Sequence, residues 1–111
     1  MKYALITAAL ALSLATGAHA ESQTYEFVYK VAVDDSGYLN ITTKGNLETA
    51  CDDDTYAVSA RPVGDPITDA QMSIATLSMV TRQPITIRSD RCDRRTGRPV
   101  IATIQTHFEY E

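Results

Sequence analysis

Past residue 20 the sequence lacks a second long apolar run, an excess of basic charge, an internal repeat, a linker and any low-complexity tract. The first absence leaves no later segment that could span a bilayer as a helix, which takes about 20 apolar residues. The second counts against nucleic acid and anionic membrane surfaces as partners, because both select net positive charge. Lys and Arg number 10 against 14 Asp and Glu, a formal charge of −4. Cysteine is confined to Cys51 and Cys92, and two cysteines without neighbouring histidines do not make a zinc site. No nucleophile, base and orienting group stand at spacings that assemble a catalytic centre. The chain therefore reads as a non-enzyme that calls for no cofactor.

The clearest positive signal is at the start. Residues 1–20 read MKYALITAALALSLATGAHA, with Lys2 as the positive charge and an apolar stretch from Ala4 to Ala15 too short to span a bilayer. Ala18-His19-Ala20 then sets small residues at the −3 and −1 positions of a signal-peptidase site. This predicts a signal peptide over 1–20 and an exported chain, periplasmic or secreted, beginning at Glu21. Its removal leaves 91 residues with 9 basic and 14 acidic groups, a charge of −5. That is enough for one small domain over 21–111 and not two. In an oxidising compartment an even pair of cysteines predicts one disulfide, Cys51–Cys92. It closes a loop of about 40 residues and contributes about 4 kcal/mol on the chain-entropy estimate.

Tyr25, Phe27, Tyr29, Val31 and Val33 alternate with Glu26, Val28, Lys30 and Ala32, which predicts a strand with one buried face. The turn cluster Asp34-Asp35-Ser36-Gly37 leads into a second strand at 38–43, with Leu39 and Ile41 on one face. A third strand follows at 55–60, with Tyr56 and Val58 on one side. Thr68-Asp69-Ala70-Gln71 has the form of a capping box and predicts a helix from Asp69 to about Arg82. Its stripe of Ala70, Ile74, Leu77 and Thr81, flanked by Met72, Ala75 and Met79, predicts a helix covered on more than one side. Pro84 stops it. A short strand at 85–88, a charged loop at 89–98 and a long strand at 99–110 complete the chain. The order β-β-β-α-β-β, mostly β with one helix, predicts an OB-like five-stranded barrel. An open antiparallel sheet with the helix on one face is the rival arrangement. The barrel is favoured because it consumes the sheet edges.

Two segments carry binding chemistry. Arg88, Arg91, Arg94, Arg95 and Arg98 cluster around Cys92 and could grip phosphate, sulfate, an acidic partner or a glycan. The predicted disulfide sets Asp52, Asp53 and Asp54 against the same loop, where opposite charges would neutralise one another in pairs worth about 0–1 kcal/mol each. Those three consecutive carboxylates lack the spacing of a calcium loop, so no metal site is expected. Tyr38 and Asn40 lie beside the Asp-Ser-Gly turn and supply the aromatic face and small polar group that sugar binding uses at a barrel end. The candidate ligand-binding residues are therefore Tyr38, Asn40, Arg91, Arg94 and Arg95. His107 has no nucleophile partner by spacing and falls with Thr103, Gln105 and Glu109 on a polar strand face.

From Cys51 onward the chain also carries a cysteine just before the third strand, the helix DAQMSIATLSMVTRQ and the strand entry Thr81-Arg82-Gln83-Pro84-Ile85-Thr86-Ile87. Cys92 follows in the next loop, then the closing strand Gly97-Arg98-Pro99-Val100-Ile101. This pattern resembles the pentameric B subunits of subtilase cytotoxin and typhoid toxin, with pertussis toxin subunits further off. It covers about half of the mature chain, and the typical toxin subunits are longer. The resemblance implies an OB-like barrel, no enzymatic activity, and a homopentameric ring that binds host glycans and carries a separate catalytic subunit. The alternative is a monomeric periplasmic protein that inhibits or chaperones another exported protein through the arginine loop.

Overall fold

The structure, a computed structural model, describes residues 22–107. The leader read over 1–20, and Phe108 and Tyr110 of the closing strand, lie outside the described residues. Within them the chain forms β1 (Ser22–Val33), β2 (Tyr38–Thr43), β3 (Tyr56–Pro62), the helix α1 (Pro66–Thr81), β4 (Pro84–Cys92) and β5 (Pro99–Thr106). The element order is the one expected. Hydrogen bonds join the strands as β1-β2-β3-β5-β4, and β4 returns to β1, so the sheet closes into a ring. The open-sheet alternative does not hold. Every junction is antiparallel except β3 with β5, where Val58 pairs Val100 and Ser59 pairs Ile101 in parallel.

The first strand departs from the expected pattern. Val28 pairs Thr43, and the next partner pair is Lys30 with Thr42, so β1 carries one extra residue at Tyr29. Such a bulge switches which alternate residues face inward. Before it Thr24 and Val28 point into the ring, while Tyr25, Phe27 and Tyr29 stand outside at 61%, 40% and 66% exposure. After it Val31 and Val33 lie opposite Ile41 and Leu39, both fully buried. The odd-numbered residues are thus divided between two faces. Val31 packs half-buried against the core, and Val33, at the end of the strand, is 46% exposed.

The core gathers Val28, Leu39, Ile41, Leu47, Ala57, Ala75, Ile85, Ile87 and Ile101 from all five strands, the helix and one loop. The helix begins at Pro66, three residues before the predicted start at Asp69. Asp65 is the N-cap, its carboxylate accepting from the Ile67 and Thr68 amides at 3.0 and 3.4 Å. Pro66 occupies the first turn, where its missing N–H costs nothing. Thr68 is inside the helix and buried, its hydroxyl donating to the Arg61 carbonyl at 3.0 Å. The side of α1 against the strands buries Thr68, Gln71, Ala75 and Ser78, with Met72 and Met79 packed half-buried against the core beside them. Ala75 and Ser78 are fully buried, and their small volume brings the helix close to the sheet. Of the expected stripe, Ala70, Leu77 and Thr81 are exposed and Ile74 is half-buried, while the flanking Ala75, Met72 and Met79 face the core, so the helix is covered on one side only. Ile67, Leu77 and Val80 stand outward at 69%, 52% and 70% exposure.

The stretch 89–98 is not one loop. Strand β4 continues to Cys92, paired with β5 through irregularities at Arg88/Ser89 and Ser89/Arg91. Residues 93–98 then form a tight hairpin in which the Asp93 amide donates to the Arg98 carbonyl and the Gly97 amide to the Asp93 carbonyl. Cys51 and Cys92 are joined as a disulfide, Cα atoms 5.6 Å apart.

Candidate functional site

On β2, Leu39, Ile41 and Thr43 are buried, so Tyr38, Asn40 and Thr42 point out of the ring. Tyr56 and Val58 of β3 lie opposite Thr42 and Asn40 and share that outer face. The 93–98 hairpin folds across it. The Arg95 guanidinium is 5.8 Å from the centroid of the Tyr38 ring, and that of Arg98 is 4.0 Å from the centroid of Tyr56. Arg98 also reaches the Asp53 carboxylate at 3.0 Å, and the Asp53 amide donates to the Gly97 carbonyl. The acidic turn and the arginine hairpin therefore meet beside the disulfide. The hydroxyl and amide of Thr55, with Arg98 adding its charge, hold the Asp53 carboxyl below the usual carboxylate range. Asp54 instead accepts from the Thr49 hydroxyl, and Asp52 lies against Gly97. The three aspartates are turned to separate partners.

Of the predicted ligand residues, Tyr38, Asn40 and Arg95 come together on this face. Asn40 Oδ1 and Arg98 Nε are buried without a hydrogen-bond partner among the described residues. Arg94 is exposed in the hairpin. Arg91 belongs elsewhere, bordering a cavity beside α1. The five-residue set is thus split between two places.

A third feature escaped the sequence reading. Tyr25, Phe27 and Tyr29 form a row of exposed rings on β1, at intervals of roughly 7 Å set by the two-residue repeat. The row lies where β1 passes from pairing with β4, over Ser22–Phe27, to pairing with β2, over Val28–Val33. Lys44 Nζ lies 5.7 Å from the Phe27 centroid. At the other end, the His107 ring stands edge-on to Tyr25 with centroids 4.9 Å apart, and its Nε2 is 2.6 Å from the Thr86 hydroxyl. Beside the row, towards the end of α1, is a groove of about 260 Å³ bordered by Phe27, Tyr29, Lys44, Ser78, Met79 and Arg82. Ser78 is fully buried there, and its hydroxyl has no partner among the described residues. Arg82 holds its place as the left-handed C-cap of the helix, φ 57°. The sequence signal for this face is Val28, a branched apolar residue between Glu26 and Lys30 in the run that alternates with the rings.

No helix among the described residues is long and apolar enough to cross a membrane. Comparison of the chain with family models, with curated proteins and with solved structures gives no match.

Proposed function

We propose that the chain is an exported, non-enzymatic binding domain of OB-like fold that takes hold of glycan chains on a cell surface. Support for the fold comes from the ring order β1-β2-β3-β5-β4, the parallel β3–β5 junction and a helix between β3 and β4. Support for export comes from the leader at 1–20.

The observation that carries the binding reading is the row Tyr25, Phe27, Tyr29. Three large rings exposed side by side form an apolar patch of the kind that marks an interaction surface. The C–H face of a pyranose stacks on such rings, and its hydroxyls need the polar groups that border them. Lys44, Arg82 and the unpartnered Ser78 hydroxyl stand along the same groove. The test is a glycan array probed with the folded mature domain, and with a Phe27→Ala, Tyr29→Ala double variant. The expected result is binding to a defined subset of glycans that the variant loses while its melting temperature holds. Silence across the array with the native protein overturns the reading.

A separate observation favours self-association. The outward side of α1 presents Ile67, Leu77 and Val80, and a ring of identical subunits would bury that face. The arginine hairpin lends less to the inhibitor or chaperone alternative, because Arg95 and Arg98 are occupied with Tyr38 and Tyr56.

A further inference from the structure

We infer that the cavity between the start of α1 and the β4–β5 ladder binds a small organic oxyanion, a carboxylate or a sulfate or phosphate monoester, through Arg88 and Arg91. The cavity measures about 310 Å³, at the small end of the range for ligand pockets. None of the three aromatic residues of the β1 row borders it.

Both arginines stand on β4 where its ladder with β5 is interrupted twice. Arg88 pairs Thr103, Ser89 pairs Ile101 and Arg91 pairs Val100. The register therefore skips Ala102 on β5 and Asp90 on β4, and both skipped residues border the cavity. Bulges re-aim side chains and recur beside binding and active sites. This one is held in shape by the Ser89 hydroxyl, which donates to the Arg91 carbonyl at 3.0 Å. Arg88 Nε donates to the Thr103 hydroxyl at 3.3 Å, which fixes the guanidinium and leaves its two Nη groups for a ligand.

The charges around the cavity favour an anion. Among the described residues the ion pairs are Arg61 with Asp65, at 3.9 Å, and Arg98 with Asp53. Arg88 and Arg91 have no carboxylate partner there. Of the three guanidinium groups bordering the cavity, Arg61 is engaged with Asp65, and the other two, Arg88 and Arg91, are relieved by an oxyanion that accepts from both. Asp65 is already held by the first amides of α1 and by Arg61, so Asp90 is the one carboxylate left to oppose the ligand. Gln71, 7% exposed, also borders the cavity and enters none of the side-chain hydrogen bonds among the described residues. Its amide atoms are not among the buried side-chain atoms left without a partner, so they open onto the cavity and are free to donate to an oxyanion bound there. Ile67, Ile101 and Ala102 give the apolar wall that takes the carbon part of the ligand.

The experiment is an NMR titration of the nitrogen-15-labelled mature protein, observing the Gln71 side-chain amide and the arginine Nε–H signals. The probes are butyrate, phenyl phosphate and phenyl sulfate, with benzyl alcohol as the neutral control. Saturable shifts at Gln71, Arg88 and Arg91 are expected with at least one anion and none with the alcohol. Response to butyrate alone assigns a carboxylate, and response to the aryl esters alone assigns an ester. Arg91→Gln should weaken binding about tenfold by removing a charged donor. Asp90→Asn should tighten it about threefold by removing a like charge. Both residues are exposed, and the same spectra show whether each variant is folded. The inference is overturned if no anion gives saturable shifts, if benzyl alcohol acts equally, or if both substitutions leave the affinity unchanged. Loss of array binding in the Phe27/Tyr29 variant, with Gln71 unmoved by any anion, defeats this site and leaves the glycan reading standing.

Discussion

The guanidinium of Arg98 lies 4.0 Å from the centroid of the Tyr56 ring, and one of its nitrogens is 3.0 Å from the Asp53 carboxylate. One side chain thereby pins the 93–98 hairpin to two points, a ring on β3 and the acidic turn beside Cys51. Replacing Arg98 with Ala should free the hairpin and lower stability by about 1 kcal/mol, within the range for cation–π contacts. Urea unfolding checks this. Replacing it with Lys should recover only part, since a point charge does not match a ring and a carboxylate together.

The Asp53 carboxyl is held below its usual range, chiefly by the Thr55 hydroxyl and amide and further by Arg98. A carboxyl whose folded pKa is depressed contributes stability above its unfolded pKa, and that contribution fades as pH falls through the folded value. Asp53→Asn should therefore melt lower than the native chain at pH 7. The gap should close as pH is taken below about 4, near the unperturbed aspartate pKa. A gap that stays constant across that window would refute the assignment. Calorimetry at a series of pH values makes the measurement.

Reduction of Cys51–Cys92 should cost about 4 kcal/mol, because the bond spans 41 residues and its main effect is on the unfolded chain. Denaturant midpoints with and without reductant, or of a Cys51→Ser, Cys92→Ser variant, read this directly.

At the helix start the prediction discriminates between two caps. Asp65→Ala should destabilise by about 1 kcal/mol through loss of the N-cap. Thr68→Ser should cost much less than that, because it keeps the hydroxyl that bonds to Arg61. Were Thr68 the cap, as the Thr-x-x-Gln spacing suggests, Asp65→Ala would be nearly silent. Thermal melts of the two variants decide it.

The helix shows why some features were legible and others were not. The capping-box spacing and the run of helix-period apolar residues revealed its existence, and Pro84 marked where it had to stop. Its start was misread because Asp65-Pro66 and Thr68 both look like a beginning, and the choice is made by Arg61, which lies before the helix and takes the Thr68 hydroxyl. The strand count, their order and the disulfide followed from alternation, turn residues and cysteine parity. The orientation of β1 did not. A single extra residue at Tyr29 interrupts the register with β2, and alternation in one strand carries no trace of what its neighbour pairs with. The same blindness separated Arg91 from Arg95. They are four residues apart in sequence, but a hairpin turn sends one across β2 and leaves the other beside α1.

The exposed side of α1 gives a further prediction. Leu77→Glu with Val80→Glu should leave the fold of a single subunit intact, since both side chains already face outward. If the native protein associates through this face, the double variant should run as a monomer in light scattering where the native chain does not. A native chain that is monomeric at high concentration would remove the case for assembly through the helix.

The junction of β3 with β5 has a consequence for how the molecule comes into being. The last strand is laid between two that precede it, with β3 on one flank and β4 on the other. Until Pro99–Thr106 arrives, both of those neighbours keep a bare row of peptide groups, ready to bond to another chain. A product cut short before Pro99 should accordingly be sticky and short-lived.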